Sequence, residues 1–181
     1  MRMNVKERPA FAISIAGMLT AMSVLLTGPL SIPVNLFGGY IKNIGFGVLP
    51  VMYGGVRLGM AYGFSIGVAA DILSFLIFPK GGGYFPGFSI SYGLIGLLPA
   101  LFLRKLVKPT FWKIFLAVIV THLICSFGLN NLFLIVLYHV NAQVVLLRGI
   151  VQSIMAPVYG LLLYLLLGGK VALPKKKIST S

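Results

Sequence analysis

Asp71 is one of only two acids in this chain, Glu7 being the other. It stands in "VAADILSF", flanked on both sides by apolar residues. A carboxylate in such surroundings is costly and turns to a polar interior. Two roles fit it: a hydrogen bond that holds a neighbouring helix or a loop amide, or direct contact with a ligand, for instance accepting protons from an amino-substituted ring. Asn130 and Asn131 form a second polar point, in "GLNN". Adjacent helical residues point about 100° apart, so at most one of the two faces a pocket squarely. Ligand binding and helix–helix contact both suit them. Arg148 and Gln152 lie one turn apart on one helical face. A guanidinium there can snorkel to lipid headgroups or make a two-pronged pair with a carboxylate. Lys42 and Lys80 fall in loops, where a lysine is either solvated or available to an anion. His122 reads as a packed or hydrogen-bonded histidine rather than a catalytic one, and His139 as a loop residue.

These residues do not add up to a catalyst. The chain has no G-x-x-x-x-G-K-[ST] loop to cradle a nucleotide, no G-x-S-x-G, no H-E-x-x-H and no acidic cluster for a divalent metal. Its one cysteine, Cys125, can form no disulfide within the chain and builds no metal site. The expectation is a protein that is not an enzyme and has no cofactor. If it moves a solute, ATP hydrolysis comes from partners.

The elements that carry these residues are membrane helices. Of 181 residues, 59% are hydrophobic and 9% charged, with a mean hydropathy of +1.02. Soluble domains carry far more charge. The excess of 15 Lys and Arg over 2 acids therefore does not read as nucleic-acid binding. Apolar segments are expected at about Ala10–Thr27, then two short or shielded helices within Ile44–Phe78 that turn near Gly54–Arg57. Three more come at about Phe88–Leu103, Ile114–Tyr138 and Val144–Leu167. One helix over the whole 44–78 stretch would overshoot a hydrocarbon core of about 30 Å. The first segment lacks a small-residue cleavage site and reads as a retained helix.

Six spans place both termini on one side, and the charges say which. Arg2, Lys6, Arg8, Arg57, Arg104, Lys105, Lys108, Lys113, Lys170, Lys175, Lys176 and Lys177 all fall on that side. Lys42, Lys80 and Arg148 fall on the other. The rich side is cytoplasmic by the positive-inside rule. The predicted architecture is an all-α integral membrane protein with six transmembrane helices and cytoplasmic N- and C-termini. It forms one domain, 1–181: an N-terminal segment 1–9, a helical bundle 10–168 and a basic cytoplasmic tail 169–181. The cell membrane is the expected location.

The external loops differ from the cytoplasmic ones. Residues 28–43, "GPLSIPVNLFGGYIKN", and 78–88, "FPKGGGYFPGF", are rich in Gly, Pro and aromatics. Glycines allow close backbone approach and Phe-Pro steps fix chain direction. This asymmetry points to a binding site that opens outward under ordered loops. Gly59, Gly63, Gly67 and Asp71 recur every four residues and predict a face that another helix can approach closely. In the first helix, Ala12 and Ala16, and Gly17 and Ala21, have the same spacing and would admit a helix of this chain or of another protein.

From Ile44 to about residue 165 the sequence resembles, in order, the substrate-binding (S) subunits of energy-coupling factor vitamin transporters, the folate-specific branch most of all. That branch tends to show "FGFLP", "ADxxG", "FPGFT" and "GLNTLW" segments and an arginine-centred segment before helix six. Here Phe46–Pro50, Ala70–Ser74, Phe85–Ser89, Gly128–Phe133 and Arg148–Pro157 stand in their places. "FPGFS" replaces "FPGFT" and "GLNNLF" replaces "GLNTLW". Gln152 stands where a lysine is expected, and Asn43 where a basic residue is common, with Lys42 beside it. The resemblance implies a six-helix subunit that binds a vitamin at its outer face beneath a lid formed by the loop between helices one and two. It implies partners: a transmembrane coupling subunit and two cytosolic ATPase subunits, docked on the small-residue face of helix one. Folate has a flat pterin ring, an aryl linker and a glutamate with two carboxylates. Tyr84, Phe85 and Phe88 would sandwich flat rings, with Pro86, Gly87 and Ser89 completing that wall. Asn130 or Asn131 would read ring edges, and Arg148, Lys42 and Lys80 would meet carboxylates. The same fold binding another vitamin or precursor, and a non-transport membrane scaffold, are the alternatives.

Overall fold

A computed structural model of the chain describes residues 9–36, 39–79, 83–104, 110–138 and 141–168. Residues 1–8, Lys80, Lys105, Lys108, His139 and the tail 169–181 lie outside the described residues, and so do the side chains of Lys42, Asn43 and Arg104. Much of the charge asymmetry predicted above rests on these.

Helix α1 (Pro9–Thr27) leads into a hairpin of β1 (Ile32–Leu36) and β2 (Gly39–Ile44). Helices α2 (Val48–Leu58) and α3 (Met60–Ile77) come next, then α4 (Pro86–Arg104) and α5 (Phe111–His122). A π-helical segment over Leu123–Leu129 continues α5 into α6 (Asn130–Tyr138), and α7 (Ala142–Leu166) closes the described chain. Among the described residues, five helical stretches are long and apolar enough to cross a membrane: Pro9–Thr27, Met60–Ile77, Pro86–Leu103, Phe111–Val136 and Gln143–Leu166. Met18, Leu76 and Leu165 are among many large apolar side chains that face outward. Outward apolar surface on this scale needs lipid as its solvent. The chain is a multi-pass helical membrane protein.

The sixth helix differs from the prediction. At 11 residues α2 is about 16 Å long, too short to cross a bilayer alone. It needs no lipid contact, because nine of its residues are buried. Val48, Leu49, Met52 and Val56 join one core with Ile95, Ile114, Val118 and Leu163. Val51 and Leu58, on its other side, join a second core with Ala12, Leu19 and Ile66. The short helix thus ties both cores together at the centre of the bundle.

The expectation of a wholly helical fold needs an addition. The predicted loop 28–43 is largely an antiparallel hairpin, with Ile32 opposite Ile44 and Val34 opposite Lys42, and an irregularity between Val34 and Asn35. Ile32, Val34 and Ile41 are β-branched and favour strands, and Pro33 is tolerated because β1 is an edge of a two-stranded sheet.

The turn between α2 and α3 falls at Gly59, slightly later than predicted. Its φ of 117° is a conformation that favours glycine. Gly59 therefore belongs to the joint and not to the close-packing stripe. Gly63 and Gly67 do form that stripe. A Cβ on Gly63 would come within 2.6 Å of the Gly96 carbonyl oxygen, and one on Gly67 within 2.8 Å of the Gly93 Cα. Gly55 of α2 meets the same Gly96 backbone, so three helices converge on one glycine seam. At the far end from the hairpin, the Arg57 guanidinium donates to the Leu167 carbonyl at 3.5 Å and lies over the Tyr53 ring. A cation there complements the C-terminal end of α7.

Candidate functional site

A partly open cavity of about 180 Å³ lies at the hairpin end of the bundle. Ile44 and Gly45, at the foot of the hairpin, border it together with Thr27 and Val48. Helix α4 supplies Phe88, Tyr92 and Ile95, which recur at helical spacing on one face. Helix α7 supplies Arg148, Val151, Gln152, Met155 and Tyr159 in the same way. The third wall is Ser126, Asn130, Asn131 and Leu134.

That third wall depends on the π-helical segment. Over Leu123–Leu129 the backbone winds wider, and the Asn130 N–H reaches back five residues to the Cys125 carbonyl. The wider turn rotates α6 relative to α5. Such segments occur often at functional sites. Both asparagines border the cavity, more than the α-helical spacing predicted. Asn131 is buried, and the buried Asn130 Oδ1 has no hydrogen-bond partner among the described residues. A buried acceptor of this kind is costly unless something else meets it.

Polar contacts fix the walls. The Tyr92 hydroxyl lies 3.2 Å from Thr27 Oγ1 and 3.4 Å from Ser23 Oγ. Ser23 itself donates to the Gly47 carbonyl at 2.7 Å, which joins α1 to the start of α2. The Tyr159 hydroxyl donates to the Gly45 carbonyl at 3.0 Å, linking α7 to the foot of the hairpin. The Tyr159 ring stacks on His122 and meets Phe46 edge-on. Among the described residues bordering the cavity, Arg148 carries the only charge, and no acid borders it. The cavity therefore combines one guanidinium, three side-chain amides, several hydroxyls and three aromatic rings. It suits a flat, polar-edged molecule with a negative charge.

Five of the predicted site residues meet here: Phe88, Asn130, Asn131, Arg148 and Gln152. Lys42 and Asn43 lie on β2, close in sequence to Ile44 at the cavity border. Others are placed elsewhere. Asp71 accepts a hydrogen bond from Ser89 Oγ at 2.7 Å, and the Ser89 oxygen lies 2.7 Å from the Tyr84 hydroxyl. This chain of bonds fastens the start of α4 and the preceding loop to α3, and Asp71 does not border the cavity. Phe85 is not a cavity wall either. It packs edge-on against Phe88 and Phe133, 5.7 and 5.2 Å between centroids, and backs Phe88, the one of the three predicted ring residues that borders the cavity. The Tyr84 ring packs on Phe75. Pro86 begins α4 in an exposed position, and a Cβ on Gly87 would strike the Phe85 ring. Neither borders the cavity. Among the residues predicted to dock a partner, Ala12 is turned inward at 2% exposure, in the core with Val51 and Ile66, and Ala16 packs against the same core. Gly17 and Ala21 stay outside that core, with nothing within 4 Å of where a Gly17 Cβ would be.

Tyr92, Tyr159, Ser126 and Thr27 were not among the predicted residues. The first two were within reach of the sequence. Tyr92 lies one turn after Phe88, and Tyr159 continues the Arg148–Gln152–Met155 face. Ser126 depended on the π-helical register, which no spacing rule reveals.

A helical membrane protein with a polar cavity at one end, bordered by the foot of a hairpin, suits a solute-binding membrane subunit. No family model matches the chain. It is similar to the folate transporter FolT of Clostridium novyi (strain NT), with 29% identity over 153 residues, covering 84% of each chain. Its fold matches the crystal structure of FolT bound with folic acid with a TM-score of 0.72 and 26% identity, over 90% of this chain and 95% of that one. The resemblance to the folate-type S subunits of energy-coupling factor transporters therefore holds in both sequence and fold.

Proposed function

We propose that this chain is the high-affinity folate-binding subunit of an energy-coupling factor importer in the cell membrane. The observation that carries the reading is the cavity itself. Arg148 offers a forked cation for a carboxylate, Asn130 offers a buried acceptor for a ring donor, and Phe88, Tyr92 and Tyr159 offer ring surfaces. The likeness to FolT supports folate over other vitamins.

In this reading Arg148, one and a half turns into α7, takes a glutamate carboxylate near the cavity mouth. The amides deeper in the wall address the pterin edge. The hairpin, tied down through Gly45 and Gly47, closes over the ligand, with Lys42 and Asn43 on its second strand. Both termini are cytoplasmic, so the cavity opens outward, and Arg57 and Lys113 mark the cytoplasmic end. The chain itself performs no catalysis. A transmembrane coupling subunit docks on Gly17 and Ala21 of α1, and two cytosolic ATPase subunits supply the energy.

Mass spectrometry of small molecules retained after gentle extraction tests this. A pterin–aminobenzoate–glutamate compound at close to one per chain is expected. Retention of riboflavin, thiamine, pantothenate or a precursor instead would give the site to another vitamin.

A further inference from the structure

Under the cavity wall lies a buried polar group that does not itself border the cavity. His122 is 2% exposed and its ring is stacked on Tyr159, centroids 5.1 Å apart. Its Nδ1 lies 3.3 Å from the Gln152 Nε2 and 3.2 Å from Ser126 Oγ. Gln152 Nε2 also donates to Ser126 Oγ at 3.3 Å. Gln152 borders the cavity.

A carboxamide nitrogen has two protons and no lone pair to offer. With the imidazole proton on Nε2, the Nδ1 lone pair and the Ser126 Oγ lie on one side of that nitrogen and accept from it. We propose that His122, with Ser126, is a positioning residue that holds the Gln152 carboxamide with its nitrogen inward and its oxygen toward the cavity. That point of the wall is then an acceptor and selects a ligand carrying an N–H or O–H opposite it. Without the pair, the carboxamide turns over freely and offers donor and acceptor alike. Stacking on Tyr159 fixes the imidazole, and the Tyr159 bond to Gly45 fixes Tyr159 in turn. An aimed acceptor contributes more to affinity than one that must be ordered on binding.

The inference rests on folate as the ligand, and a double-mutant cycle with folic acid tests it. His122→Phe keeps a ring on Tyr159 and removes the acceptor. It should weaken folic acid about tenfold in the natural background, the value of one aimed hydrogen bond. In a Gln152→Met background the same change should cost less than about twofold, because nothing is left to aim. His122→Asn, which places an amide oxygen near the Nδ1 position, should recover affinity to within about threefold of the natural protein. Ser126→Ala is a gentler second probe and should show the same dependence on Gln152. Equal losses from His122→Phe in both backgrounds, or none in the natural one, would overturn the proposal. Absence of folic acid binding to the natural protein would overturn the functional reading, and this inference with it.

Discussion

Replacing Arg148 with alanine tests the chemistry of the site most sharply. Arg148 is half-buried at the cavity border and carries its only charge among the described residues. A hydrogen bond to a charged group contributes about 1.5–3 kcal/mol, and a fork gives two with one ordering cost. The cavity is partly open, so solvent offsets some of this. A loss of about 2–3 kcal/mol, or about 30- to 150-fold in Kd, is expected for folic acid. Arg148→Lys keeps the charge but not the fork and should lose about 5- to 10-fold. The primary amide of pteroic acid lacks the glutamate and carries no carboxylate, so its affinity should change by less than about threefold in either variant if the guanidinium pairs with a glutamate carboxylate. The assay is calorimetric titration of the purified protein, with monodispersity as the folding control. An Arg148→Ala variant that binds folic acid within about twofold of the natural protein would refute the pairing.

The packing leads to three further outcomes. Gly96→Val should lower stability by about 1–3 kcal/mol or prevent folding, since its branched side chain would meet the Gly63 backbone; thermal unfolding in detergent reads this. Ser89→Ala and Asp71→Asn should each reduce the unfolding temperature while changing folic acid affinity by less than about threefold, because their bonds hold a loop and not the ligand. Gly17→Leu should leave folding and folic acid binding unchanged, for its side chain enters open space, and should weaken co-purification with the coupling subunit.

The long helices were legible because their signal is length and apolarity, which a bilayer imposes residue by residue. Helix α2 was harder. A short helix buried on all sides looks in sequence like any apolar run, and its end at Gly59 depends on one glycine conformation. The hairpin was hidden because Gly and Pro announce a break without saying what replaces the helix. At the site, Arg148 and Gln152 could be read from spacing on one face. The aromatic loop could not. Tyr84, Phe85 and Phe88 lie within five residues, yet only their contacts decide that Tyr84 packs on Phe75 and Phe85 on Phe88 and Phe133, while Phe88 borders the cavity. Asp71 shows the same limit, since a lone acid signals a polar partner and Ser89 is 18 residues away.

The most direct test of the account is calorimetry of ligand-free, folded protein titrated with folic acid. Saturable heat with one ligand per chain and a sub-micromolar Kd is the predicted result. No heat with folic acid or with reduced folates, from protein shown to be folded, would contradict the account.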